Sequence, residues 1–415
     1  MSELCTIEIE SIASGGDGVA RHNGLVVFVP RTAPGDVVLA HIEKKGRLAR
    51  GVVERIERPG ASRVRPECDH YDGDRCGGCQ LQHLDDESYA AFVSDRVASA
   101  LEAQGLTAPL RAPLVSPPQT RRRATLHVES KGGRILLGFS AEKSHAIVDV
   151  RECHILAPEL FAVVAPLRAL LQKLGFKRRG DVHLTLSDQG PDILVTNLSA
   201  DGLAAAETIT AFCERHGIAR FTLDSGDGFE TRWEPQPVTI TLGGHPVPLP
   251  PASFLQATQE GEDALVAAMR EATAGAGTIA DLFAGLGTFA LALPARVYAA
   301  EGARDAIMAL KAGAAHGGRQ IFTEHRDLFR RPLTITELDR FDAIVIDPPR
   351  AGARDQAEAL AASQTKVIGY VSCNPSSFAR DAKMMVEGGW RIDWIQPVGQ
   401  FRWSTHVELA ARFVR

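Results

Sequence analysis

The stretch TIADLFAGLGTF, residues 278–289, joins an apolar run to a glycine turn. The run ends at Asp281, and Gly285 and Gly287 follow it. Glycines directly after a buried strand let the backbone approach a ligand closely at the carboxyl end of that strand. From here to its end the chain alternates strand-like and helix-like runs. Residues 251–415 are therefore predicted to form a Rossmann-like α/β domain with a parallel, doubly wound sheet.

The next strand-like run, RVYAA, supplies a second feature of a nucleoside site. It leads into Glu301, twenty residues after Asp281. An acidic side chain at this spacing accepts hydrogen bonds from the two hydroxyls of a ribose. The turn lacks the third glycine that cradles a pyrophosphate, so an adenosine ligand without phosphates fits it better. These residues favour S-adenosylmethionine.

Two further strand-like runs are expected to end at the same rim of the sheet. FDAIVIDPPRAG (341–352) carries Asp347 before two prolines, which stop the strand there. KVIGYVSCNPSSFARD (366–381) carries Cys373 before Asn-Pro. A cysteine that closes a strand is often only a small packed residue. Because ligands bind at this rim, we interpret Cys373 as a thiol presented to a substrate.

Two other domains are predicted before residue 251. Short alternating runs separated by SGGDG and TAPGD predict a small OB-like β-barrel over residues 1–58. Strand-like runs such as GRILLGFS and AIVDVREC predict an α+β central domain from residues 59–84 and 117–250. Residues 85–116 are assigned to the C-terminal domain.

Two helices are predicted in this part of the chain. Apolar residues recur at helical spacing over about Asp85–Gln104. A second helix is predicted near Leu156–Leu174, within the central domain.

The seven cysteines do not share one purpose. Three form the pattern C-x7-C-x2-C and a fourth lies 74 residues beyond it; these are Cys68, Cys76, Cys79 and Cys153. Four thiolates close a metal site, and both zinc and an iron–sulfur cluster accept four sulfurs. We expect Cys5 and Cys213 to be inert.

Composition and charge narrow the class of protein. The chain is 45% hydrophobic and 23% charged, and it has no apolar run of the roughly 18 residues that a membrane span needs. The opening MSELCTIEIES does not have the character of a secretory signal, so we expect a cytoplasmic monomer. The net charge is −5, but residues 41–65 contain eight basic and three acidic side chains. This basic stretch could contact phosphates or be ordinary solvated surface.

Together these motifs resemble the RNA uracil-5-methyltransferase family, and within it the members that act on 23S rRNA and begin with a TRAM barrel. The resemblance covers nearly the whole chain. It is carried by the four cysteines and by GFSAEKSHAIVDVREC, SFLQATQ, DLFAGLGTF, IDPPRAG, VSCNPSSFARD and THVELAARF. It implies methylation of uracil carbon 5 in RNA by S-adenosylmethionine, through a covalent cysteine adduct at carbon 6.

The resemblance also implies roles for individual residues. It makes Cys373 the nucleophile and Glu408, from the final H-x-E, the proton acceptor. It assigns a [4Fe-4S] cluster to the four cysteines, Cys68, Cys76, Cys79 and Cys153. The family's cofactor positions fall on Gln256, Phe283, Thr288, Glu301, Asp327 and Asp347. The target base must leave its stack to reach the thiol, so the substrate is expected to be an RNA loop.

Some features leave alternatives open. The first cysteine spacer is two residues longer than is common in the family, threonines at 258 and 288 replace usual asparagines, and FRWSTHVE replaces a proline-containing loop. A tRNA uracil-5 methyltransferase would share the catalytic half. An amino-group or cytosine methylase fits less well, because Arg350 follows the two prolines and Cys373 is not preceded by proline. A non-catalytic RNA-binding iron–sulfur protein would not need Cys373 and Glu408.

Four residues near these motifs have no assigned role at this point. Arg121, Arg122 and Arg123 could bind phosphate or coat the central domain. His406 is expected to orient its neighbours rather than to catalyse.

Overall fold

A computed structural model describes residues 3–73 and 75–415 of the chain. These residues form three large sheets and one small two-stranded sheet. Within the described ranges, no helix is long and apolar enough to span a bilayer.

The N-terminal sheet has six strands in the order β1-β5-β6-β4-β3-β2. They are β1 (Glu3–Glu8), β2 (Ser11–Ile12), β3 (Gly18–His22), β4 (Leu25–Val29), β5 (Val37–Lys45) and β6 (Leu48–Arg58). β1 and β2 lie at opposite edges of the sheet, although only Ile9 and Glu10 separate them along the chain. The sheet must therefore curve until its edges meet, and the Glu10 amide donates to the Val19 carbonyl of β3 at 2.7 Å. This curvature agrees with the predicted barrel.

A cysteine-bearing segment and a long helix follow the barrel. The elements are α1 (Asp69–Asp72), α2 (Asp86–Glu102) and the short strand β7 (Leu114–Val115). α2 begins where the Asp85 carboxylate accepts the Ser88 amide at 2.7 Å, which satisfies one free amide of the first turn. Its apolar face, with Phe92 and Val97, packs into the core of the C-terminal sheet. The predicted helix is confirmed, and its buried face belongs to a domain whose strands come more than 150 residues later.

The central domain is a six-stranded sheet with three helices packed on it. In chain order its elements are β8 (Arg123–Lys131), β9 (Arg134–Gly138), α3 (Pro158–Ala162), α4 (Val164–Lys173), β10 (Arg179–Ser187), β11 (Gly190–Thr196), α5 (Leu203–His216), β12 (Arg220–Asp224) and β13 (Phe229–Trp233). The strand order is β13-β12-β11-β10-β8-β9. Leu126 of β8, Leu167 of α4 and Phe221 of β12 are fully buried in one shared core. The α+β prediction is confirmed.

One local prediction for this domain is wrong, and another is confirmed with one interruption. AIVDVREC forms no named strand. The Val148 and Val150 amides donate to the Phe139 and Leu137 carbonyls at 2.8 and 3.1 Å, but the Leu137 amide donates to the Asp149 side chain, so the backbone pairing with β9 stays one-sided. The helix predicted near Leu156–Leu174 is interrupted at Val163, which ends α3 and precedes α4. Pro166 has no N–H for the bond that a continuous helix would need there.

The C-terminal domain has an eight-stranded sheet in the order β18-β17-β16-β19-β20-β22-β21-β7. A hairpin, β14 (Thr239–Leu242) and β15 (His245–Pro248), precedes it, and its strands are β16 (Thr278–Leu282), β17 (Arg296–Glu301), β18 (Ile321–His325), β19 (Ala343–Ile346), β20 (Val367–Ser372), β21 (Arg391–Gly399) and β22 (Glu408–Val414). Its helices are α6 (Gln259–Ala272), α7 (Arg304–His316), α8 (Ile335–Leu338), α9 (Arg354–Ala362) and α10 (Pro375–Glu387). β16 to β20 pair in parallel, and β22 pairs antiparallel with β20 and β21. The predicted doubly wound domain is confirmed.

Two details of this domain differ from the prediction. The chain between β16 and β17 makes turns instead of an α-helix, because Gly285 and Gly287 have positive φ and Pro294 follows soon after. The β14–β15 hairpin, assigned by sequence to the central domain, packs Ile240 and Val247 in the core that contains α7. The C-terminal core therefore begins before the predicted limit at residue 251, while the other domain limits stay predictions.

Candidate active site and cysteine cavity

The proposed reactive groups meet at the carboxyl rim of the C-terminal sheet. Because β16, β17, β19 and β20 are parallel, their carboxyl ends reach the same edge. Four predicted site residues close or follow these strands, namely Phe283, Glu301, Asp347 and Cys373. The sheet thus brings together side chains that the sequence spreads over ninety residues.

Glu408 reaches this rim because β22 runs the other way. Ser372 of β20 pairs with Leu409 of β22, and Cys373 and Glu408 are the next residues beyond that last pair, so both lie at the same end of the ladder. Cys373 is half-buried. Burial, together with the negative charges of Glu408 and Asp347, raises the pKa of the Cys373 thiol to about 11. The thiol is therefore protonated at neutral pH until its surroundings change.

Three carboxyl groups around the thiol are strongly desolvated. Glu408 is 2% exposed, and burial raises its pKa to about 7. Burial and the charges of Glu408 and Asp281 raise the pKa of Asp347 well above its ordinary range. Burial also raises the pKa of Asp281 to about 8. Oε2 of Glu408 is buried without a hydrogen-bond partner in the described part of the chain, as expected of a group that awaits a ligand.

The glycine turn after β16 has the shape of a cofactor cradle. Phe283 and Gly285 have φ of 62° and 55°, and a side chain added at Gly285 would meet nothing within 4 Å. The Glu301 carboxylate accepts the Gly285 amide at 2.9 Å and the Ala303 amide at 2.7 Å, which fixes its direction at the end of β17. The open space beside Gly285 and the fixed acid suit an adenosine ligand.

The other predicted cofactor residues lie around this cradle. Thr288 is half-buried in the same turn. Asp327 follows β18, accepts the Phe329 amide at 3.0 Å and lies beside the glycine that follows Glu301. The rings of Phe283 and Phe329 lie 5.4 Å apart and form an apolar wall.

Gln256 connects the loop before α6 to the rim. It is buried, and its Nε2 lies 3.4 Å from Oδ2 of Asp347. Gln400 holds it in place, since Gln400 Nε2 donates to Gln256 Oε1 at 2.7 Å and Gln400 Oε1 accepts the Ala257 amide at 2.7 Å. Gln400 was not singled out from the sequence, and its only signal there is its position in the segment before Glu408.

The three consecutive arginines have three different environments. Burial lowers the pKa of Arg121, and the nearby Cys79 and Cys153 act in the opposite direction. Arg122 is buried, donates to the Gln256 carbonyl at 3.0 Å and forms an ion pair with Glu262. The predicted alternatives of phosphate contact and surface coat therefore do not describe Arg122, which is part of the protein interior.

Arg123 lies close enough to Glu408 and Cys373 for their charges to act on its pKa. Burial and the other two arginines lower its pKa to about 10, while Glu408 and Cys373 act in the opposite direction. Its guanidinium carbon lies 4.3 Å from the centroid of the Phe254 ring, and that ring is 59% exposed. Arg123 had no role predicted from the sequence, and the fold makes it the cation that faces the buried carboxylate. His406 is exposed and its ring meets the Phe401 ring edge-on, so it lies outside this group.

The four predicted metal-ligating cysteines also come together. Cys68, Cys76, Cys79 and Cys153 line one cavity, which we call the cysteine cavity, with Tyr71, Phe139 and Ile155 among its apolar walls. Burial, together with the charges of Glu152 and the other cysteines, raises the pKa of Cys68 to about 12. Four such thiols ionise together only beside a cation, so the donor set fits a metal or an iron–sulfur cluster. Cys213 is buried in the central core, and the Cys5 sulfur lies 3.5 Å from a His22 ring nitrogen of the barrel.

Comparison with known proteins identifies the family. The sequence model of the tRNA (Uracil-5-)-methyltransferase family matches residues 251–414, and that of the TRAM domain matches residues 3–51. A Zymomonas mobilis protein, described as an RNA methyltransferase, is 46% identical over 98% of this chain and 99% of its own. The chain belongs to the RNA uracil-5-methyltransferase family. As a member, it transfers a methyl group from S-adenosylmethionine to carbon 5 of uracil in RNA.

Two further comparisons place this methyltransferase among characterised proteins. It is 29% identical to the 23S rRNA (uracil(1939)-C(5))-methyltransferase RlmD of Pectobacterium atrosepticum, over 99% of this chain and 93% of that one. A structure of the Pyrococcus abyssi tRNA (uracil-54, C5)-methyltransferase with S-adenosyl-L-homocysteine matches it with a TM-score of 0.76, over 99% of both chains at 23% identity. The three-part architecture is therefore shared over the full length of both chains.

Proposed function

We propose that this methyltransferase modifies a uridine of 23S rRNA through a covalent bond between Cys373 and carbon 6 of the base. The observation that carries the mechanism is the pair of Cys373 and Glu408 beside Asp347 at the rim. A nucleophile and a buried acceptor of pKa about 7 are the two groups that methylation of carbon 5 needs.

The first step belongs to Cys373. Carbon 5 of uracil is a poor nucleophile until Cys373 loses its thiol proton to solvent and the thiolate forms a sulfur–carbon bond at carbon 6, which moves the electron pair of the carbon 5–carbon 6 double bond onto the ring as an enolate. Carbon 5 is then able to take a methyl group. S-adenosylmethionine supplies that group as an electrophilic methyl on a sulfonium sulfur. The residues proposed to hold it are Gln256, Phe283, Thr288, Glu301, Asp327 and Asp347.

The second step belongs to Glu408. Carbon 5 now carries both a methyl group and a proton, and the bond to sulfur breaks only when that proton is removed. Glu408 takes the proton, the electron pair restores the double bond, and Cys373 leaves as a thiolate. A pKa of about 7 leaves Glu408 both able to accept a proton and able to release it near neutral pH.

The choice of 23S rRNA is supported by the full-length similarity to RlmD. The tRNA alternative is favoured by the description of the family that matches the catalytic half. Mapping 5-methyluridine in rRNA and tRNA from a deletion strain separates the two. Loss of 5-methyluridine at one rRNA position supports the proposal. Loss of 5-methyluridine only in tRNA would show that the enzyme modifies tRNA instead.

We propose that the cysteine cavity holds a [4Fe-4S] cluster, as the family resemblance implies, and the four cysteines that line one cavity supply a suitable donor set. The methyl transfer involves no net electron change, so the cluster would act on structure or on RNA placement. Its ligands would be Cys68, Cys76, Cys79 and Cys153.

The covalent mechanism is tested by two substitutions that block opposite ends of the cycle. Glu408→Gln should attack and methylate but release product slowly, which leaves RNA attached to the protein in a denaturing gel. Cys373→Ala should bind RNA and form no such band. Glu387→Gln, an exposed change at the end of α10, serves as the matched control and should behave like the unmutated enzyme.

A parallel trap uses RNA that contains 5-fluorouridine. Fluorine does not leave as a proton does, so the unmutated enzyme should stay attached to this RNA through Cys373. Methylation by Cys373→Ala at a substantial rate would refute the covalent mechanism.

A further inference from the structure

We propose that Trp403 is a positioning residue that fixes the catalytic loop, residues 400–407, to the wall of the cysteine cavity. The proposal rests on the proposed role of Glu408. It gives the cysteine cavity a mechanical link to the proton acceptor.

The catalytic loop connects two elements of the active site. It begins at Gln400, which holds Gln256 through a bond of 2.7 Å, and it ends directly before Glu408, the first residue of β22. The loop therefore lies between the cofactor side and the proton acceptor.

Trp403 joins the loop to the cysteine segment in two independent ways. Its ring is 7% exposed and packs in one small apolar cluster with Tyr71, Cys79 and Ile155. Its carbonyl accepts the amides of Gln80 at 2.7 Å and Leu81 at 3.0 Å. These two residues directly follow Cys79, so both contacts end on the segment of chain that carries a proposed cluster ligand.

The backbone of Trp403 shows that the attachment is firm. Its φ is 59°, in the left-handed region that bulky side chains rarely adopt. A residue stays there only when the surrounding structure holds it from several sides. The buried ring and the doubly bonded carbonyl are those restraints.

Other contacts hold the same loop from a different element. The Tyr89 hydroxyl of α2 donates to the Phe401 carbonyl at 3.0 Å, and the Arg402 guanidinium pairs with Asp86. Loss of the Trp403 ring should therefore loosen the loop without unfolding the domain. The part of the loop nearest Glu408 depends most on Trp403.

A loosened loop should slow one chemical step more than the other. Cys373 follows β20 and does not depend on the loop, so attack and methylation continue. Glu408 would lie away from the carbon-5 proton, and a misplacement of about 1 Å costs on the order of 10²-fold in rate. The adduct of RNA with Cys373 should then accumulate, as in Glu408→Gln.

The test uses the full-length enzyme with Trp403→Ala and the milder Trp403→Phe. Trp233→Ala, in β13 of the central domain, is the matched control. Hydrogen exchange is followed in peptides that cover residues 79–82 and 400–408, and the denaturation-resistant adduct with substrate RNA is measured on the same samples.

We expect exchange in both peptides to rise on the order of tenfold in Trp403→Ala, and the adduct to increase in the order unmutated, Phe, Ala. The control should change neither. Unchanged exchange in Trp403→Phe and Trp403→Ala would overturn the proposal, and Trp403→Phe alone decides it where the alanine variant does not fold. A third outcome is faster exchange in the Trp403 variants with no adduct in them and none in Glu408→Gln. This result would support the anchoring role of Trp403 and reject the proposed role of Glu408.

Discussion

Cys373 and the four cysteines of the cysteine cavity carry the same side chain in two different settings. Cys373 lies at the sheet rim, where it faces the buried carboxylates Glu408 and Asp347. The other four face one another between apolar walls. A single thiol beside proton acceptors is suited to make and break a covalent bond, whereas four thiols together are suited to hold a cation. Neighbours, rather than residue type, decide what each sulfur does.

The largest expected effect is the removal of the rim sulfur. Cys373→Ala should lower kcat by at least roughly 10⁴-fold, because no other described residue of the rim is a comparable nucleophile. Single-turnover methylation of an RNA substrate measures it. Cys5→Ala, a half-buried cysteine of the barrel, should retain nearly full activity. Equal decreases of kcat in Cys373→Ala and Cys5→Ala would contradict a special catalytic role for the rim cysteine.

The second prediction removes one sulfur from the cavity. Cys153→Ser should lose most of its iron and sulfide when purified without oxygen, because three thiolates hold a cluster poorly. Activity should fall by roughly 10- to 100-fold, because the cavity wall supports the catalytic loop from outside the reacting groups. Cys213→Ser should keep its iron, measured by metal analysis and visible absorbance. Colourless unmutated protein with stoichiometric zinc would show that the cavity is a zinc site instead.

The third prediction concerns the carboxylate beside Cys373. The pKa of Glu408 is raised from 4.5 to about 7 in the folded state, so its burial destabilises the fold as pH rises from about 4.5 to 7. At pH 8 Glu408→Gln should be more stable than the unmutated enzyme by on the order of 3 kcal/mol. At pH 4 the difference should vanish. Denaturation curves at the two pH values measure it, and a variant that is less stable at pH 8 would contradict it.

The same two groups set the pH dependence of the reaction. Glu408 must be ionised to accept the proton, so the rate of adduct turnover should rise through pH 7. Cys373 must be ionised to attack, so the rate of adduct formation should keep rising toward pH 11. Pre-steady-state rates between pH 6 and 9 test the sign. A rate that falls over this range would place the reactive proton elsewhere.

The smallest expected effect is on RNA binding by the barrel, which carries neither Cys373 nor the cysteine cavity. Arg55, Arg58 and Arg65 are exposed, whereas Arg63 of the same basic stretch is half-buried and forms an ion pair with the buried Asp36. Replacing the three exposed arginines by glutamine should weaken RNA binding several-fold and reduce the salt slope by about 0.7 for each phosphate that is no longer neutralised. Iron content and adduct yield per bound RNA should not change. An unchanged salt dependence of RNA binding would show that the basic stretch, residues 41–65, is ordinary solvated surface.

The sequence predicted the parts of the molecule that local patterns determine. Strand ends at Asp281, Asp347 and Cys373, the barrel, and the cysteine spacing all follow from short-range signals. It missed what depends on contacts between distant segments. Gln400 lies in no motif and acts by bonding Gln256, which is 144 residues away. Arg123 gains its place only when β8 meets the rim.

The wrong predictions have the same origin. AIVDVREC has the apolar alternation of a strand, but the Asp149 side chain accepts the Leu137 amide, which leaves only one-sided backbone pairing with β9. The β14–β15 hairpin follows the central strands in the chain and packs with α7 instead. In each case a tertiary contact outweighs a correct local preference.

α2 packs on the C-terminal sheet and β7 belongs to it, which has a consequence for synthesis on the ribosome. α2 packs against β21 and α10, and β7 pairs with β21, so these early segments wait for partners made about 270 residues later. The barrel and the central sheet have all their strands well before that point. The methyltransferase core closes only when its last strands emerge, so nascent chains must keep the apolar face of α2 out of water by other means until then.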